Sequence, residues 1–286
     1  MYESHWQLKQ KPFENSADPR FYYPSESHQA ALLKLRYAIE NRRGGALLAG
    51  GSGTGKTLLA GMLRQILGEQ FTPFVHLVFP QMSSAELLAY LSEELDGVAP
   101  ARAGWGVPES IRRIERFLAE NTRQGRHAVV AVDEAHLIEN VHMLEAMRLL
   151  LNFESAGPAI GGSMVESRSK WPGLTLLLVG QPGLLPTLER MPQLGERLAV
   201  KCLLRRFTEQ ETADYVVHRL KVAGAAQPIF EPDALPVLHR LTQGVARQIN
   251  RLCDLSLLIG FAEERRTIDA GHLEAVCQEL VAVVPE

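Results

Sequence analysis

A chain of 286 residues, 46% hydrophobic and 22% charged, has the composition of an ordinary globular protein and room for one large α/β domain with a smaller companion. Its net charge of −3 supplies no global basic field, so any nucleic-acid binding must use a local patch. The three cysteines form no CxxC pair and read as buried thiols in a reducing cytosol; the opening MYESHWQLKQKPF is no signal peptide and no stretch approaches the ~18 apolar residues of a membrane span, so a cytoplasmic protein without direct membrane insertion is expected.

In chain order, helical periodicity in LLKLRYAIENR (32–42) precedes an apolar run, GALLAG (45–50), and a second helical stretch occupies 57–67. Further apolar runs follow at FVHLVF (74–79), HAVVAV (127–132), LTLLLVG (174–180) and LAVKCLL (198–204), with helical patterns at 109–121 and 143–153 between them. Near-continuous apolar runs alternating with helices predict a five-stranded parallel sheet covered on both faces, a three-layer αβα core. SAGPAIGGSMVESRSKWPG (155–173), rich in Gly and Ser, reads as a mobile surface loop. After about residue 207 the strand pattern stops and helices follow at 209–224, 232–244, 246–264 and 269–280, so 208–286 is expected to form a small all-helical lid behind an α/β domain spanning 1–207.

The strongest chemical signal is Gly50-Gly51-Ser52-Gly53-Thr54-Gly55-Lys56-Thr57, which matches G-x-x-x-x-G-K-[ST] between a predicted strand and a predicted helix that runs on through Leu58. Such a loop turns its backbone N–H groups toward phosphate oxygens at a helix N-terminus; Lys56 would reach the β/γ-phosphates of ATP and the Thr57 hydroxyl would hold Mg²⁺. A second signal is VVAVDEAHLIEN (129–140), where an apolar strand ends at Asp133. There Asp133 can hold the metal ion and Glu134 can orient and deprotonate an attacking water, while His136 reads as a minor packing or coupling residue. Directly after the strand 174–180, Gln181 either hydrogen-bonds the γ-phosphate or lytic water or is only a turn residue before Pro182.

The phosphate loop, DEAH, LVGQP, GERLAV and GVARQINRLCD, in this order, with the opening MYESHWQLKQKPFENSADPRFYYPSESHQAAL, resemble the AAA+ ATPase module of the ExeA/GspA group, related to the TnsC transposition regulators and to origin-recognition ATPases. The resemblance implies that Asp133 and Glu134 are the Walker B pair, that Gln181 is sensor 1, and that Arg247 is the sensor 2 arginine of the lid. It also implies an arginine finger reaching a neighbouring subunit, with Arg197 the first candidate and Arg190 the second. Residues 1–30 then lie against the nucleotide base. Phe13 and Tyr22 become either adenine contacts or hydrophobic anchors, and His28 has the same ambiguity. Arg112, Arg113 and Arg116 could touch DNA phosphates or an adjacent subunit, although a solvated helix face is the simpler reading. ExeA/GspA proteins usually continue into a membrane span and a peptidoglycan-binding region, neither of which lies in these residues. Loop 155–173 is longer than the family pattern and is expected to reach a partner or DNA.

Two functions fit this pattern. In one, Mg-ATP hydrolysis drives assembly or remodelling of a macromolecular partner by a homo-oligomer with shared active sites. In the other, ATP gates an oligomeric adaptor on double-stranded DNA or protein, and hydrolysis only resets it. A helicase is disfavoured despite the DEAH letters, because helices and not a second RecA-like domain follow the fifth strand.

Overall fold

The computed structural model describes residues 1–16, 18–78, 80–98, 106–156 and 170–282. Helix α1 (Glu26–Glu40) leads into strand β1 (Gly45–Gly50), followed by α2 (Lys56–Ile66), β2 (Phe74–Leu77), α3 (Ser84–Asp96), α4 (Val107–Arg123) and β3 (Ala128–Val132). Then come α5 (Val141–Leu150), β4 (Glu154–Ala156), β5 (Lys170–Pro172), β6 (Leu174–Gly180), α6 (Leu184–Glu189), α7 (Pro192–Arg197) and β7 (Leu198–Leu204). Four helices complete the chain: α8 (Glu209–Val222), α9 (Ala234–Thr242), α10 (Ala246–Ala262) and α11 (Ala270–Ala282).

Five strands form one parallel sheet in the order β2-β3-β6-β1-β7. Composition explains this order. The runs of β1, β3 and β6 are buried at every position and apolar throughout except for Thr175, whose hydroxyl is satisfied by the Arg43 carbonyl at 2.6 Å, as a central strand covered on both faces requires. In contrast, β7 alternates, exposing Ala199, Lys201 and Leu203 while burying Cys202 and Leu204, which suits an edge. One sheet face, with Leu47, Val130 and Leu176, packs in a cluster with Leu87, Leu91, Ile114, Leu118 and Met143 from α3, α4 and α5. The opposite-face residues Leu48, Val129 and Leu177 are buried as well.

Helix α3 was not expected, yet its signals are in the sequence: a reciprocal capping box joins Ser83 and Glu86, and Gly97 closes the helix in the left-handed region. Between 155 and 173 the ends pair as the antiparallel strands β4 and β5, which corrects a wholly irregular loop; 157–169, on which the expected mobility and reach fall, lie outside the described residues.

Contacts divide the chain into two compact units. The sheet unit holds 30–50 and 59–204. The helical unit holds α8–α11 together with the first 29 residues and the loop 51–58. In it the N-terminal segment is strapped down by buried polar groups. Trp6 Nε1 donates to the Leu257 carbonyl at 2.9 Å, and Arg219 donates to the carbonyls of Pro12 (2.5 Å) and Glu14 (2.8 Å) while its guanidinium lies 4.3 Å from the Phe21 ring centre. Thr208 and Glu211 form a second capping box at the start of α8.

Candidate functional site

The candidate residues divide between the two units. In the helical unit the loop after β1 turns tightly on itself: Thr54 Oγ1 donates to the Gly51 carbonyl at 2.9 Å, and Lys56 Nζ donates to the same oxygen at 3.0 Å. Lys56 is buried, whereas Thr57 and Ser52 are exposed. Gly53 has φ +74°, and a Cβ on it would stand 2.7 Å from Arg247 Cβ, so both conformation and space demand glycine. That close approach serves a contact: Arg247 N–H donates to the Gly53 carbonyl at 3.1 Å and its guanidinium to Ser52 Oγ at 3.3 Å. Arg247 is the second residue of α10 and is exposed, so a cationic side chain lies over the exposed rim of the loop.

His28 touches the loop from its other neighbours. It is buried, with Nε2 2.9 Å from the Thr54 carbonyl and Nδ1 2.7 Å from Ser25 Oγ. Burial pushes its pKa below the ordinary histidine value. Phe13 is 1% exposed and packs edge-on against Phe230, 6.1 Å between ring centres, which favours the hydrophobic-anchor alternative for its side chain. Tyr22 stands edge-on to His28 at 6.4 Å, and its hydroxyl is buried without a hydrogen-bond partner.

In the sheet unit, β3 delivers Asp133 at the C-terminal edge of the sheet, where parallel αβ sheets place their ligands. Asp133 is 2% exposed; its N–H donates to the Leu77 carbonyl (2.8 Å) and its Oδ1 accepts the Glu134 N–H (2.8 Å). Glu134 then turns out of the strand with φ 49° and ψ 33°, a left-handed conformation costly for a side chain of this size. The turn leaves its Oε2 buried, without a hydrogen-bond donor, 3.3 Å from His136 Nδ1 in ion-pair range but out of line for a hydrogen bond. His76, the lone polar residue of β2, brings Nε2 to 3.6 Å from Asp133 Oδ2. Two histidines thus flank the acidic pair; only the polar break in FVHLVF could have flagged the first.

β6, the neighbour of β3, ends at Gly180, where a Cβ would stand 3.1 Å from the His136 backbone nitrogen. Glycine there lets the turn carrying Glu134 close against the strand that carries Gln181, whose carbonyl caps the next turn by accepting Leu184 N–H at 3.0 Å. Arg197, at the end of α7, is exposed and donates to Asn152 Oδ1 at 3.0 Å, while Arg190 is exposed and reaches the Pro186 carbonyl at 3.4 Å. Arg113 is not on a solvated face: it is buried and bridges α4 to α3 through a bidentate pair with Asp96 and a bond to the Val98 carbonyl (2.9 Å), whereas Arg112 and Arg116 are exposed.

The Thr57 hydroxyl and Asp133 carboxylate are hard oxygen donors of the kind Mg²⁺ takes. Among the described residues no group of three or more His, Cys, Asp or Glu could hold a metal ion alone, and no helix is long and apolar enough to cross a membrane.

Residues 39–188 match the AAA domain family. The General secretion pathway protein A of Aeromonas hydrophila is 34% identical over 289 residues, an alignment covering 100% of this chain and 50% of that protein. The chain therefore spans about half the length of that relative. Among solved structures, the Aeropyrum pernix ORC2 protein (ADPNP–ADP complexes) superposes with a TM-score of 0.68 at 14% identity, covering 95% of this chain and 72% of that one. The Aeropyrum pernix ORC1 protein in complex with DNA gives 0.66 at 17% identity, covering 96% and 69%.

Proposed function

Because the chain belongs to the AAA domain family, in its ExeA/GspA-like group, we propose that it binds and hydrolyses ATP with Mg²⁺ and uses the cycle to assemble or remodel a macromolecular partner. One observation carries the reading: the phosphate loop belongs to the same compact unit as the lid, with Arg247 bonded to Gly53 and Ser52. Whatever fills the loop is thereby felt by α10, which is how nucleotide state becomes movement.

In this reading the loop N–H groups of 51–57 and the Lys56 ammonium hold the phosphates. Thr57 and Asp133 hold Mg²⁺, which supplies charge neutralisation on the phosphate oxygens. Glu134 accepts the proton of the attacking water, and its buried, donor-free Oε2 supports that role. Gln181 orients the water or the γ-phosphate; Arg247 acts on the phosphates of its own site and Arg197 on those of a neighbouring subunit in a homo-oligomer.

A second reading, an ATP-gated adaptor on DNA or protein, is favoured by the likeness in fold to an origin-recognition protein solved in complex with DNA. Steady-state ATPase rate with and without double-stranded DNA, combined with mass measurement in ATP, separates the two. Hydrolysis that DNA leaves unchanged and a protein partner stimulates supports remodelling. A DNA-stimulated oligomer that keeps its activity when turnover is blocked supports the adaptor.

A further inference from the structure

We propose that His28 is a positioning residue for the phosphate loop, its imidazole holding the 54–55 peptide so that the Gly55 N–H faces the phosphate side. The proposal rests on reading the loop as a nucleotide site, and its structural half can be tested without nucleotide.

The tautomer follows from the partners. A carbonyl oxygen only accepts, so the 2.9 Å contact to Thr54 requires a hydrogen on Nε2. In the neutral ring Nδ1 then accepts from the Ser25 hydroxyl at 2.7 Å. Burial favours that neutral form. Ser25 stands just before α1, and the ring is walled by Tyr22 and by Phe207, whose ring centre is 5.7 Å away. The imidazole therefore has one orientation, and it aims a donor at one loop carbonyl.

The consequence comes from peptide geometry. The 54–55 bond is trans, and a trans peptide points its C=O and N–H to opposite sides. With the Thr54 oxygen held against His28, the Gly55 N–H is directed away from it, into the concave side on which such a loop gathers its N–H groups. Without the tether, this peptide is free to rotate, and a phosphate has to order it on binding. A donor fixed beforehand spares that cost. Sequence alone offered His28 only as an ambiguous residue, because its partner lies 26 positions away.

The test compares His28→Ala, His28→Gln and Ser25→Ala by amide hydrogen exchange over 51–58 in nucleotide-free protein, and by calorimetric affinity for Mg-ATP and Mg-ADP. In His28→Ala, exchange over 51–58 accelerates and both dissociation constants rise about tenfold, the scale of one lost hydrogen bond, with KM raised more than kcat is lowered. His28→Gln, which keeps an N–H donor at similar reach, recovers to within about threefold. Ser25→Ala leaves the ring in place but unfixes its tautomer, so a smaller acceleration confined to the loop is expected even if His28→Ala folds poorly. Unchanged exchange in His28→Ala, or a glutamine variant as impaired as the alanine one, overturns the proposal; the latter would make ring packing the operative role. If wild-type protein binds no nucleotide, the nucleotide-site reading falls, and the exchange measurement still decides the tether.

Discussion

Two glycine-to-alanine changes eight positions apart should move stability in opposite directions. At Gly53, alanine must occupy φ +74°, which costs about 1–2 kcal/mol for an L-residue in the left-handed region. Its Cβ would also stand 2.7 Å from Arg247 Cβ and 3.1 Å from Val245 Cγ1. The nearer atom cannot swing away by a rotamer change, so overpacking adds about 1–3 kcal/mol. The sum, roughly 2–5 kcal/mol, must be met by moving the loop off α10 and breaking the Arg247 N–H bond to the Gly53 carbonyl. At Gly61, inside α2, a Cβ meets nothing within 4 Å, and alanine gains about 0.5–1 kcal/mol of helix propensity. Thermal unfolding followed by circular dichroism, with and without ADP, reads both. Gly61→Ala should raise the midpoint by about 1–4 °C; Gly53→Ala should lower it by about 4 °C or more and abolish the further stabilisation by ADP. A Gly53→Ala protein that melts and binds ADP like wild type would show that the loop does not need glycine there, and a Gly61→Ala protein destabilised as much would show that the left-handed backbone at Gly53 is immaterial to the loss.

Further outcomes follow from single contacts. Arg113→Ala should cost about 2–4 kcal/mol in urea unfolding, because it strands Asp96 beside an apolar helix contact that still sees some water; exposed Arg112→Ala should stay within about 0.5 kcal/mol, and equal losses would contradict the assignment. His127 is fully buried, donates from Nε2 to Thr175 Oγ1 (2.9 Å), keeps an unpartnered Nδ1, and has its pKa pushed by desolvation from 6.5 to about 3. Between those values the unfolded chain binds a proton that the folded chain refuses, so its contribution is complete above pH 6.5 and is lost as pH falls, by at most about 1.4 kcal/mol per unit. His127→Gln should flatten that slope in urea titrations at pH 7, 6 and 5; parallel slopes would count against it. Arg247→Ala should leave the melting midpoint within about 2 °C yet lower ATP turnover about tenfold or more, and turnover unchanged would remove Arg247 from the site.

The parallel sheet was legible almost to the residue, because strands buried on both faces have to be nearly all apolar; β1 and β6 match the apolar runs at 45–50 and 174–180, and the edge strand β7, though half exposed, matches that at 198–204. The turn between β1 and α2 and the strand-end position of Asp133 were legible because their signals are local: a fixed glycine spacing, and an acid closing an apolar run. What escaped was non-local. That the loop and the first 29 residues group with α8–α11 depends on contacts such as Arg219 to Pro12, 207 positions apart. Arg113 looked like one of three surface arginines because Asp96 stands a whole inter-helix connection away. Helix α3 differs, since its Ser83-to-Glu86 capping box is local and stands in the sequence.

That Glu134 deprotonates water at a site binding Mg-ATP through the loop is the proposal on which the rest depends. It is tested most directly by measuring ATP binding and single-turnover hydrolysis in wild type and Glu134→Gln. The variant should bind Mg-ATP at least as tightly as wild type while hydrolysis falls by about a hundredfold or more, the scale of a lost general base. A variant that hydrolyses ATP at the wild-type rate would contradict it.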